Sequence, residues 1–183
     1  MTEKKLKITL LQDSIFWADK QENLQKTELQ LKKLSGKTEL VVLPEMFTTG
    51  FCTNRLDLAE TMQGETVRQL KKWAIDYDLA IVGSFIVEEN ERYYNRAFFV
   101  FPNGEVETAD KRHLFAFGGE DKLFSAGDKR LIVNYKGFNV FVLVCYTHHS
   151  QRQHRTRRPS ACRPCAEWRR RQGYCACGCI EGD

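Results

Sequence analysis

No apolar run in this 183-residue chain approaches the roughly 18 residues that a membrane span needs. The N-terminus carries Lys4, Lys5 and Lys7 but only a short apolar stretch, Ile8 to Leu11 with Thr9 inside it, so no secretory signal is expected. These two absences predict a cytoplasmic protein without membrane contact. Other scarcities are local. Residues 147–183 contain no Val, Leu, Met, Phe or Lys, and Ile180 is their single Ile. That composition excludes buried strands and any amphipathic helix with an apolar face.

The formal net charge of +4 hides a switch at Tyr146/Thr147. Residues 1–146 hold 20 Lys and Arg against 21 Asp and Glu, whereas the tail holds 8 against 3, and all eight of its cations are Arg. Five of the seven cysteines also lie in the tail. A chain of this length suffices for one domain with a sizeable core. The expected division is therefore a folded part, 1–146, and an Arg/Cys-rich tail, 147–183, that is disordered or translated out of frame.

Along the folded part, Lys5–Gln12 predicts an opening strand. Leu24, Leu31 and Leu34 then continue at helical spacing until Ser35-Gly36 stops the helix. Leu40–Leu43 reads as a second buried strand ended by Pro44, with Glu45 just past its tip. A second helix is expected from about Glu65 to Asp76, and a third strand from Leu79 to Phe85. Strand-helix-strand-helix-strand argues a sheet with crossover helices, an α/β class.

The pattern then changes to hairpins. Tyr93–Phe101 returns through Pro102-Asn103-Gly104-Glu105 to Val106–Ala109, and Arg130–Tyr135 returns through Lys136-Gly137 to Phe138–Cys145. Asp110–Asp128, between the hairpins, reads as a long irregular segment, and such segments inside compact domains are usually functional. The run FNVFVLVCY, Phe138–Tyr146, fits a strand buried on both faces that delivers the thiol of Cys145 to its tip.

Glu45, Lys111 and Cys145 are thus the polar groups that strand ends and loops would present. A carboxylate can take a thiol proton, and a lysine can stabilise both a thiolate and a developing oxyanion. On the residues alone other readings stand beside this one. Glu45 could be a solvated loop acid, Lys111 part of an exposed charge run with Asp110 and Arg112, and Cys145 a core thiol.

Four stretches carry a resemblance: LVVLPEMFTTGF (Leu40–Phe51), YYNRAFFVFPNGE (Tyr93–Glu105), DKRHLFAFGGEDKLFSAGD (Asp110–Asp128) and VLVCY (Val142–Tyr146). In this order they resemble the nitrilase superfamily of carbon–nitrogen hydrolases over Lys5–Tyr146, most closely its omega-amidase branch. The resemblance implies a four-layer αββα sandwich, with 1–146 as the N-terminal part of the domain and its C-terminal half missing or replaced. It implies Glu45 as general base, Lys111 as cationic oxyanion stabiliser and Cys145 as nucleophile. Glu120 would support Lys111 and the substrate, and the backbone N–H of Tyr146 would complete the oxyanion hole. The implied reaction releases ammonia from a small omega-amide through a Cys thioester, with water as second substrate. No metal or organic cofactor and no nucleic acid is implied, and the intact fold is expected to form a homodimer.

The resemblance stops after Tyr146, where the superfamily continues with Asp, Arg and Phe-Pro and this chain has Thr147-His148-His149-Ser150. A shift of reading frame at codon 147 is the preferred explanation, and it predicts an impaired enzyme. The alternative is a non-enzymatic binder. Cys162-Arg163-Pro164-Cys165 with Cys175, Cys177, Cys179 and the histidines upstream would take zinc, or RQHRTRRP would take nucleic acid. Neither has the apolar underlay or the aromatic platform of a real module.

Overall fold

The computed structural model describes residues 4–144 and the backbone of Cys179–Ile180. The first sheet has five strands in sequential order: β1 (Ile8–Leu10), β2 (Leu40–Val42), β3 (Ala80–Glu89), β4 (Arg92–Val100) and β5 (Val106–Asp110). β1, β2 and β3 run parallel, and β4 and β5 return antiparallel. Helices α1 (Lys20–Leu34) and α2 (Glu65–Tyr77) make the parallel crossovers. Both begin and end close to the residues that the sequence predicts, because apolar spacing and stop signals are local.

Period-two alternation divides the strands between two cores. Val41, Ile81, Phe98 and Val100 face the helices and pack with Leu31, Leu70 and Trp73. Leu40, Ala80, Val82, Ala97 and Phe99 face the other way, onto Leu131, Val133, Val140 and Val142 of a second sheet. That sheet is the hairpin β6 (Leu131–Tyr135) and β7 (Phe138–Val142), extended by the backbone of β8 (Cys179–Ile180). Helix layer, sheet and sheet are three of the four layers of the expected sandwich. Among the described residues no helix covers the outer face of the second sheet, where Ile132 is exposed.

Three local expectations are corrected. β3 runs on to Glu89 and forms a hairpin with β4. Its turn, Asn90-Glu91, has both φ angles positive, a conformation that favours Asn but is rare for Glu, so the Glu hides the turn in the sequence. Asp110–Asp128 is not wholly irregular: it holds a 3₁₀ turn, Ala116–Gly118, and a one-turn helix α3, Glu120–Leu123. β7 stops at Val142 and is buried on one face, with Asn139 exposed, because no described layer lies outside it. The backbone of Cys179–Ile180 adds the two-residue β8 to the edge of β7, since a strand edge accepts any backbone regardless of side chain.

Candidate active site

Glu45 sits three residues past β2 in a turn that the sheet holds tightly. Leu43 N–H donates to the Val82 carbonyl, Met46 N–H to Ser84 Oγ at 3.0 Å, and Phe47 N–H to the Ser84 carbonyl. Met46 is fully buried with φ 48°, a strained conformation for a non-glycine residue, and these bonds from β3 hold it there. Behind the turn, buried Asn23 donates from Nδ2 to the carbonyls of Phe16 and Thr48. The carboxylate of Glu45 is therefore presented by backbone on two sides, not by a free loop.

Lys111 follows β5 directly. Cross-strand Arg96 clamps Asp110 through two bonds, Nε to Oδ1 at 2.7 Å and Nη2 to Oδ2 at 3.0 Å, on the side away from the site. Lys111 itself donates its N–H to the Asn95 carbonyl and accepts from Gly127 N–H. Gly127 is required there, since a Cβ would lie 2.3 Å from the Asp110 carbonyl oxygen. The lysine side chain is left to point inward, and its ammonium lies 5.1 Å from the centre of the Phe51 ring.

There it meets both acids. Lys111 Nζ donates to Glu45 Oε1 and to Glu120 Oε2, each at 2.8 Å, and the three side chains are between 0 and 1% exposed. Glu120, at the start of α3, also accepts Phe115 N–H on Oε2 at 2.6 Å. Asn95, fully buried on β4, donates from Nδ2 to Glu45 Oε1 at 2.7 Å and to Glu120 Oε1 at 3.1 Å. Glu45 Oε2 alone of these carboxylate oxygens has no hydrogen-bond partner among the described residues. Glu45 also lines a 300 Å³ cavity between the sheets, walled by Leu40, Val82 and Ser84 on one side and by Val140 and Val144 on the other.

Two carboxylates against one ammonium set the ionisation. Burial alone would depress the Lys111 pKa, but the charges of Glu45 and Glu120 and their hydrogen bonds outweigh it and hold the amine above its ordinary value. Burial pushes the Glu45 carboxyl up. Lys111 and Asn95 oppose that shift, Glu120 reinforces it, and the net direction is upward. The site thus pairs a lysine held in its charged form with a carboxyl that burial shifts toward its protonated form.

The carbon-nitrogen hydrolase family model covers residues 7–160. The chain belongs to the carbon-nitrogen hydrolase family. Omega-amidase YafV of Yersinia enterocolitica is 38% identical over 143 residues, 77% of this chain and 54% of that protein. The 2-oxoglutaramate amidase of Bacillus subtilis is 31% identical over 167 residues, 88% of this chain and 64% of that protein. The crystal structure of XC1258 from Xanthomonas campestris, described as a CN-hydrolase superfamily protein with an arsenic adduct in the active site, is 38% identical. It superposes with a TM-score of 0.76 over 79% of this chain and 54% of its own. The chain spans about half the length of the curated relatives that it matches most strongly.

Of the five site residues expected from the sequence, the structure brings Glu45, Lys111 and Glu120 into direct contact. Cys145 and Tyr146 lie outside the described residues, one and two positions after Val144 in the chain. The side chains of the tail cysteines and histidines read as a zinc cluster also lie outside what is described, Cys179 being described at its backbone alone, and so does RQHRTRRP. Among the described residues no group of three or more His, Cys, Asp or Glu side chains could hold a metal ion, and no helix is long and apolar enough to cross a membrane. Sequence reasoning missed Asn95 and Ser84. The available signal for Asn95 was its parity with Ala97 and Phe99, which puts a polar side chain on an apolar, inward face.

Proposed function

We propose that this chain carries the catalytic half of an amidase that releases ammonia from a small omega-amide of a keto acid, of the 2-oxoglutaramate type. The observation that supports it is the buried Glu45–Lys111–Glu120 contact in a chain related to omega-amidases. Cys145, following the cavity-lining Val144, is the nucleophile. Its thiol proton passes to Glu45 Oε2, the oxygen left without a partner. Sγ then attacks the amide carbonyl carbon, and the oxyanion is held by the Lys111 ammonium and the Tyr146 N–H. The C–N bond breaks as Glu45 returns the proton to the departing nitrogen, leaving a thioester and ammonia. Water gives a proton to Glu45 and attacks the thioester, and the acid leaves as the thiol recovers that proton. Glu120 keeps Lys111 protonated and in place throughout. The same reading has the protein act in the cytoplasm, as a homodimer once the sandwich is complete.

Ammonia release from 2-oxoglutaramate tests it. Cys145→Ala should abolish turnover while the cooperative melt is retained; full activity in that variant would refute the nucleophile assignment. Turnover of nitriles or simple aliphatic amides, with none of the keto-acid amide, would move the substrate elsewhere in the family.

A further inference from the structure

We propose that Asn95 is a positioning residue whose side-chain amide clamps Glu45 and Glu120 together around Lys111, fixing which oxygen of Glu45 is free to move protons. The proposal deepens the amidase reading and rests on it for its catalytic consequence. The four side chains close a ring of hydrogen bonds: Glu45 Oε1 to Lys111 Nζ, Lys111 Nζ to Glu120 Oε2, then Glu120 Oε1 to Asn95 Nδ2 and back to Glu45 Oε1. An amide nitrogen has two N–H donors, and each goes to a different carboxylate. Two like-charged groups are thereby bridged by a neutral group, where a second lysine would cancel the charge and an aspartate would add to it.

The ring also settles the division of labour within Glu45. Oε1 accepts from both Asn95 and Lys111, so rotation of the carboxyl is blocked and Oε2 faces no donor among the described residues. Among the described residues, the charged groups facing Glu45 are Lys111 from the end of β5 and Glu120 from α3. β3 presents only the neutral Ser84 hydroxyl, already engaged with Met46 N–H. Asn95 is tied at the backbone as well, since its carbonyl accepts Lys111 N–H at 2.9 Å. A change at Asn95 therefore reaches the base, the cation and the supporting acid together.

The test uses the full 183-residue chain labelled with ¹³C at glutamate carboxyls, with the Glu45 signal assigned through Glu45→Gln. In Asn95→Ala the carboxylate loses a donor, so the Glu45 titration midpoint should move up. The kcat for 2-oxoglutaramate should fall about tenfold to a hundredfold, the range of one hydrogen bond to a charged group, with KM nearly unchanged. Asn95→Asp, equal in size but with an acceptor in place of the donor, should move the midpoint further and lose more activity. A Glu45 midpoint unmoved in a folded Asn95 variant overturns the proposal. The native chain supplies an independent readout: its Asn95 side-chain NH₂ protons should exchange slowly and shift as Glu45 titrates. Exchange as fast as that of a free amide overturns the clamp whether or not the variants fold. If the native chain releases no ammonia while slow exchange and the midpoint shift are seen, the amidase reading fails and the clamp stands. Ammonia release with neither signature has the opposite meaning.

Discussion

At the scale of single residues, the burial that isolates Glu45 has a consequence for pH. Its pKa is raised by burial, with Glu120 adding to the effect against Lys111 and Asn95. With Glu45 as the proposed general base, which works only when ionised, the acid limb of kcat/KM against pH should lie above the ordinary glutamate range. A limb at or below the value of a free glutamate would contradict this. Lys111 is the partner whose loss is felt most. Lys111→Met would leave two buried carboxylates without a cation, a change that typically costs about 3–5 kcal/mol. In that variant folding disfavours ionised Glu45 even more, so its folded pKa rises further above the unfolded value. Stability should therefore rise as pH falls through that folded value, and the deficit against the native chain should shrink. Urea unfolding at neutral and mildly acid pH measures it; a deficit independent of pH would show that the lysine acts through packing alone.

At the scale of elements, helix α2 illustrates how a distant residue can do a cap's work. Its N-cap, Gly64, offers no side chain, and the role falls to Glu60. That carboxylate accepts Thr66 N–H at 3.0 Å and the Thr66 hydroxyl at 2.5 Å, and pairs with Lys20 at 3.2 Å. Gly64 makes room for it, because a Cβ there would lie 2.4 Å from Glu60 Oε2. Gly64→Ala should thus destabilise the protein despite alanine's better helix propensity. Burial alone would raise the Glu60 pKa, but the Thr66 hydrogen bonds and the Lys20 charge outweigh it and hold it below the ordinary value. A depressed folded pKa contributes stability above the unfolded pKa and loses it as pH falls through the folded one. Glu60→Gln should cost about 1 kcal/mol at neutral pH, the scale of a helix cap. The difference should disappear in strong acid, and urea midpoints at the two pH values report it.

At the scale of the whole molecule, the unpaired faces matter more than any one contact. Leu10 on the edge strand β1 is 66% exposed, Ile132 on the outer face of the second sheet 54%, and Phe117 beside the site 91%. Residues 1–146 have a net charge of only −1, a weak defence against association. The chain should self-associate at micromolar concentration in sedimentation velocity. A single monomeric boundary would show that these apolar faces are better protected than their exposure indicates.

What the sequence by itself determined is what depends on neighbours in the chain. The periods of Leu24–Leu31–Leu34 and of Val67–Leu70–Ala74 placed two helices, the apolar runs at Leu40 and Ala80 placed buried strands, and motif order marked Glu45, Lys111 and Glu120. The turn at Asn90-Glu91 stayed hidden because its backbone conformation is not one that Glu advertises, and α3 because one turn is too short to show a period. Only the tertiary structure decided which polar groups share a site. Asn95 lies 50 residues from Glu45 and 25 from Glu120 in the chain. Their meeting follows from the antiparallel return of β4 against β3 and from the register that puts Asn95 opposite Ile86 on the inner face. A side chain's ionisation depends on what surrounds it in space, and that surrounding exists only once the sheets have closed.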